Sequence, residues 1–182
     1  TVDFGDFFMF ADAFGKPAEG DAVTFDLDKS GTVDFGDFFV FADLFGKSAS
    51  KRVVDEALPM VEGLALTSAS EAEELVLSLR SEGLSVRGYG AVVEYDPSAF
   101  ELVSVSDASS VLRQGGESLL LQEEMPGRVL LLGSATGGAP AVDGLLAELR
   151  FAPVRPEAEG LFRLEDAVVR AESGDVAQVQ DL

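Results

Sequence analysis

Residues 1–16, TVDFGDFFMFADAFGK, return as residues 32–47, TVDFGDFFVFADLFGK, and only Met9/Val40 and Ala13/Leu44 differ. A duplication this close dictates two equivalent structural units packed as one body, because identical segments make identical local contacts and neither can bury its apolar face alone. Immediately before the second copy stands DLDKSG, so the stretch from Asp26 to Asp37 reads D-x-D-x-S-G-x-V-D-x-x-D.

That alternation of oxygen-bearing residues suits a hard cation. Calcium takes six to eight oxygens at about 2.3–2.6 Å, and a tight loop of the EF-hand type supplies them from alternate positions. Asp26, Asp28 and Ser30 would offer side-chain oxygens, Thr32 its backbone carbonyl, Asp34 a direct or water-mediated contact, and Asp37 the closing carboxylate. Gly31 permits the sharp turn, and Val33 is predicted to pin the loop to its partner through a short strand pairing. A bidentate Glu usually closes such loops, so the shorter Asp37 predicts weaker binding or an additional water. Ordinary turns also use Asp, Ser and Gly. They do not require the alternation, the glycine and the apolar eighth position together.

After the loop, Phe35, Phe38, Phe39, Phe41, Leu44 and Phe45 recur at three- and four-residue spacing before Gly46, which predicts a short helix with a glycine stop; the first copy ends likewise at Gly15. Phenylalanine on a second face of each helix, Phe8 and Phe39 beside Phe10 and Phe41, predicts a surplus apolar patch for a partner. Residues 17–25 contain Pro17 and Gly20 and are poor material for an entering helix. The unit is therefore a loop plus an exit helix. Duplicated, this arrangement resembles the dockerin family, calcium-dependent modules of two loop-helix repeats that plug into a cohesin. The first copy begins at Thr1, the equivalent of Thr32, without residues matching Asp26, Asp28 and Ser30. Thr1, Asp3 and Asp6 are accordingly expected as ligands of a first site that upstream residues, or another molecule, would complete.

With 33 acidic against 13 basic residues, the formal charge of −20 repels nucleic acid and anionic lipid. No His and no Cys are present, which excludes thiolate sites and the commonest general base and zinc ligand. No apolar run approaches the roughly 20 residues that span a bilayer, so membrane insertion is not expected. Carboxylate runs such as Glu71, Glu73 and Glu74, or Glu123 and Glu124, could be imagined as acid–base pairs, but nothing positions them in a cleft and such runs are ordinarily solvated faces. Without His, a Cys nucleophile or a glycine-rich phosphate loop, no enzyme is expected.

Eleven of the 14 Phe residues precede Lys51, and beyond residue 58 the texture changes to apolar segments of strand length separated by Gly, Pro, Ser and Asp. About nine strands are predicted, at 64–68, 75–81, 86–95, 100–106, 118–123, 128–132, 144–151, 161–170 and 176–179. Several alternate with period two, as half-buried sheets require. The fold class is thus α+β in two domains: a small all-α duplicated loop-helix module at 1–50, a linker at 51–58, and an all-β jelly-roll sandwich at 59–182. Gly88-Tyr-Gly-Ala-Val-Val-Glu-Tyr-Asp-Pro97 followed by 100-FELVSV-105 resembles the cohesin pattern of a strand ending in Y-D-P and then L-x-V. The segments 143-DGLLAELRFAP-153 and 164-LEDAV-168 are similar to later cohesin strands.

Together the two resemblances imply a non-catalytic, calcium-dependent assembly protein outside a bacterial or archaeal cell. Its partner would be another copy of the chain or a cohesin- or dockerin-bearing protein, with head-to-tail association into a homopolymeric surface filament. The competing reading is a carbohydrate-binding module with a calcium-bound appendage from a larger secreted enzyme, which requires exposed aromatic platforms. An intracellular calcium sensor would need the entering helix that residues 17–25 do not encode.

Overall fold

The computed structural model describes residues 2–45, 60–61, 63–71, 73–114, 116, 118–136, 141–155, 158, 160–173 and 175–179. The chain divides into two compact units, Thr1–Ala57 and Leu58–Leu182. Thr1 and the predicted linker at 51–58 lie outside the described residues.

In the first unit, helix α1 (Phe4–Ala13) and helix α2 (Phe35–Leu44) flank a 3-10 turn at Gly20–Phe25. Each helix starts on a reciprocal cap: the Asp3 carboxylate accepts from Gly5 and Asp6 N–H groups while Asp6 accepts from Asp3 N–H, and Asp34 and Asp37 repeat the arrangement. After α1, Phe14 (φ −58°, ψ 134°) and Gly15 (φ 77°) form a type II turn closed by Lys16 N–H to the Ala13 carbonyl at 3.1 Å. The glycine thus supplies the positive φ of a turn rather than continuing the helical spiral. The copies interlock: Val2 bridges Phe45 in parallel, while Gly15 N–H donates to Val33 O (2.7 Å) and Val33 N–H to Lys16 O (3.0 Å). Each copy's valine is pinned by the strand leaving the other copy's helix.

Phe10 is the hub of the aromatic core, stacked on Phe41 at 5.1 Å and meeting Phe14, Phe25 and Phe38 at slightly wider separations. Of the phenylalanines expected on a second face, Phe8 is buried with Phe7, Phe10 and Phe41, and the side chain of Phe39 lies outside the described residues; among the described residues the large apolar side chains left exposed on the helices are Met9, Val40 and Leu44.

The second unit contains, among the described residues, nine strands: β1 (Met60–Val61), β2 (Leu64–Glu71), β3 (Glu74–Glu94), β4 (Phe100–Ser106), β5 (Ser118–Met125), β6 (Arg128–Ala135), β7 (Ala141–Pro153), β8 (Arg163–Ala171) and β9 (Val176–Val179). They form a β-sandwich of two layers. One runs β5, β6, the second half of β3, β8, β9, β1; the other contains β4, β7, the first half of β3 and β2. The two strands expected at 75–81 and 86–95 are one, because Glu82 and Gly83 make a bulge, with Gly83 at φ 69° and a register shift against β7 between Ser81 and Ser85, rather than a turn. That bulge carries β3 from one layer to the other.

Between the layers, Leu77, Leu79, Leu149 and Phe151 pack in one interior cluster with Tyr89, Ala91, Val93, Val129 and Leu131. Gly133 sits against the Tyr89 ring, where any side chain would collide with it. No helix among the described residues is long and apolar enough to cross a membrane.

Candidate metal centre

The loop preceding α2 gathers carboxylates. One oxygen from each of Asp26, Asp28 and Asp37 lies within 4.8 Å of the others. Oxygens at about 2.3–2.6 Å from a common ion are at most about 5 Å apart, so this spacing fits a calcium-sized cation. Among the described residues none of the three forms an ion pair.

Backbone bonds hold the carboxylates in place. Asp37 is buried; one of its oxygens accepts from Leu27 N–H (2.6 Å) and Asp28 N–H (3.0 Å), the other from Asp34 N–H (2.9 Å). Burial alone would raise its pKa, but the N–H groups of Asp28, Asp34 and Leu27 outweigh it and hold the carboxyl below its ordinary value. Gly31 N–H donates to Asp26 Oδ2 at 3.1 Å, whereas Asp26 Oδ1 is buried without a hydrogen-bond partner. A buried anionic oxygen with no donor costs free energy unless a cation satisfies it. Asp28 Oδ1 accepts from Ser30 N–H at 2.9 Å. Asp28 Oδ2 lies so close to Gly36 that any side chain there would displace it.

The remaining predicted ligands are placed otherwise. The Ser30 hydroxyl donates to the Thr32 carbonyl at 3.0 Å, so these two oxygens are paired with each other. Asp34 is committed to the helix cap through Gly36 N–H at 2.8 Å. Asp3 and Asp6 form the corresponding cap on α1. The sequence reading missed these two caps and the clearance at Gly36. The signal for the caps was an Asp three residues ahead of another Asp at the head of each apolar run. Lys29, between two predicted ligands, adopts φ 62°, a left-handed conformation that non-glycine residues rarely take.

In the sandwich, the acidic runs have structural roles. Arg150 contacts Glu148 (2.9 Å), Glu71 (3.2 Å) and Glu74 (3.4 Å), and Glu124 accepts from the Tyr95 hydroxyl (3.2 Å). Tyr95 and Tyr89 are buried, so neither offers a ring face for sugar stacking. Burial, with Asp107 adding repulsion, raises the Tyr89 pKa, and its hydroxyl has no partner.

No family model matches this sequence, and no curated protein matches it. Solved structures do share the fold. The chain is similar to a cohesin module from a Clostridium perfringens family 33 glycoside hydrolase at 19% identity and TM-score 0.54, covering 66% of this chain and 92% of that one. The sixth cohesin of scaffoldin B from Acetivibrio cellulolyticus, solved in complex with a dockerin mutant, aligns at 18% identity and TM-score 0.52 over 65% of this chain and 95% of that one. A non-cellulosomal cohesin from the archaeon Archaeoglobus fulgidus aligns at 15% identity and TM-score 0.51 over 64% and 84%. The β-sandwich is cohesin-like in fold.

Proposed function

We propose that this chain is a non-catalytic assembly protein outside a bacterial or archaeal cell, in which a calcium-loaded, dockerin-like module and a cohesin-like sandwich each engage a protein partner. The observation that carries the calcium reading is the convergence of Asp26, Asp28 and Asp37 beside the orphaned Asp26 Oδ1. Asp26, Asp28, Asp37 and the Thr32 carbonyl would hold the ion once the Ser30 hydroxyl turns inward, with Asp34 acting through water. Bound there, calcium would neutralise the cluster and fix the loop against the start of α2.

The module offers a contact surface at the positions where its copies differ. Met9 and Val40 are 57% and 38% exposed, and Leu44, one turn beyond Val40, is 42% exposed. Identity everywhere else keeps the fold, while the differing positions lie mostly outward, where a partner reads them. The cohesin of Acetivibrio cellulolyticus was solved with a dockerin bound, which supports a partner of that kind here. If the module of one copy engages the sandwich of the next, the contact is heterologous and propagates into a filament.

Light scattering in calcium and then in EGTA tests this reading. Calcium-dependent growth of the particle is expected, abolished by Leu44→Glu without loss of the calcium response of the module. A particle of equal mass under both conditions, which captures no cohesin or dockerin in either, refutes it.

A further inference from the structure

The sandwich has sheet edges, and they are not defended equally. An unpaired edge presents free N–H and C=O groups to any other strand, and natural proteins block it with charge, bulges or brevity. β5 carries exposed Glu123 and Glu124, β4 carries exposed Glu101 and a register shift between Leu102 and Ser104, and β1 is two residues long. β2 has a charge only at its last residue, Glu71, and neither a bulge nor brevity. From Leu64 to Ser70 it reads LALTSAS, without charge or proline, and among the described residues it pairs only with β3, in unbroken register.

We propose that the free edge of β2 pairs antiparallel with β2 of a second copy, joining two sandwiches through one continuous layer. The hydrogen bond from Glu82 N–H to Gly63 O at 2.8 Å sets the parity: Gly63 and the alternate residues Ala65, Thr67 and Ala69 bond toward β3, leaving the backbone groups of Leu64, Leu66, Ser68 and Ser70 directed at the free edge. A two-fold axis at Thr67 then sets Leu66 opposite Ser68 and Leu64 opposite Ser70 of the second copy. All four positions have free backbone groups, and inward-facing residues stay on the inward face. The added strand also covers the groove between β2 and the segment entering β8, where Leu161 is 76% exposed beside Phe162.

Charge selects the occupant. A chain of net charge −20 repels its own copies wherever carboxylates are dense, and this edge is where they are missing. The same two-fold sets Glu71 opposite Gly63 of the second copy, so no like charges face each other across the pair. A basic peptide would be better served by an acidic edge, so neutrality favours the second copy.

Sedimentation of the full chain in EGTA, across a concentration series, separates this association from docking by the calcium module. A reversible monomer–dimer equilibrium is expected. Ser68→Pro removes an N–H that points away from β3, and Thr67→Lys sets two ammonium groups against each other on the axis. Each should weaken dimerisation by about tenfold or more while leaving the thermal transition of the sandwich in place. Should either variant fold poorly, hydrogen exchange in the wild-type chain decides: amides of Leu66 and Ser68 should gain protection with concentration. A wild-type monomer at high concentration, a dimer unaffected by both substitutions, concentration-independent exchange at these amides, or a monomer that takes up an unrelated extended peptide instead would each overturn the proposal.

Discussion

Replacing Asp26 by asparagine should raise stability in the absence of calcium and shrink the stabilisation that calcium adds. Without an ion, Asp26, Asp28 and Asp37 hold three like charges within 4.8 Å. Coulomb repulsion at that distance is roughly 1 kcal/mol per pair in water and roughly 3 kcal/mol at the effective dielectric near a protein surface. Asp28 is exposed, so the lower figure applies to its pairs. The introduced amide would keep an oxygen for Gly31 N–H and place an N–H donor where Asp26 Oδ1 has no partner. In EGTA the Asp26→Asn variant should therefore be more stable by about 1–3 kcal/mol. With calcium the substitution removes a charged ligand. At a hundredfold excess over the dissociation constant, binding adds about 2.7 kcal/mol to the wild type, and a tenfold loss of affinity would cut that increment to about 1.4 kcal/mol. The two units are optically distinct: both tyrosines lie in the sandwich, and eleven of the 14 phenylalanines precede Lys51. Phenylalanine near-ultraviolet dichroism follows the module while tyrosine emission follows the sandwich. If Asp26→Asn proved less stable than wild type in EGTA, the carboxylates would not be repelling one another, and an unchanged calcium increment would remove Asp26 from the ligand set.

Lys29→Gly should stabilise the module by about 1 kcal/mol in EGTA, because glycine adopts φ 62° without the steric cost a lysine side chain carries there; chemical denaturation measures it. Tyr89→Phe should leave the sandwich equally stable or raise its stability by about 1 kcal/mol, since it deletes a buried hydroxyl with no partner, and calorimetry would expose the opposite sign. Gly133→Ala should cost about 1–3 kcal/mol through collision with the Tyr89 ring, visible as a lower melting temperature of the tyrosine-monitored transition. Asp37 has a folded pKa below its unfolded value of about 3.8, so its contribution is complete above that value and is lost as pH falls through the lower folded one. An acid titration in EGTA should place the module's loss of phenylalanine dichroism below about pH 4, and Asp37→Asn should flatten that part of the curve.

Much of this was legible in the sequence because the relevant interactions are local. The twelve-residue span from Asp26 to Asp37 and the three-and-four periodicity of the phenylalanines each fix a short piece of backbone. The single strand β3 was not legible, because Glu82 and Gly83 read as a turn, and only pairing with β7 on both sides of them keeps the backbone extended. The short strand pairing at Val33 was legible, whereas its partners, Gly15 and Lys16, are set by the packing of the two copies. Register and packing between distant segments carry no period that one strand or helix can display alone.

The reciprocal caps bear on what calcium could control. Helix α1 starts on the Asp3/Asp6 cap, and its Phe10 packs on Phe41 of α2. The duplicated sequence gives α2 the same cap and the same core, so both helices have side-chain acceptors of their own for the first-turn N–H groups. In the loop in front of α2, Asp37 also anchors Leu27 and Asp28, and Asp26 Oδ1 is left without a donor. An ion there would act on the order of residues 26–34 and on the approach of that loop to α2, while the helices keep their secondary structure. Amide exchange should consequently slow with calcium at Leu27, Asp28 and Gly31 and stay unchanged at the centre of α1. Equal slowing at both places would mean that the ion organises the whole aromatic core, and that the caps are too weak to hold the helices by themselves.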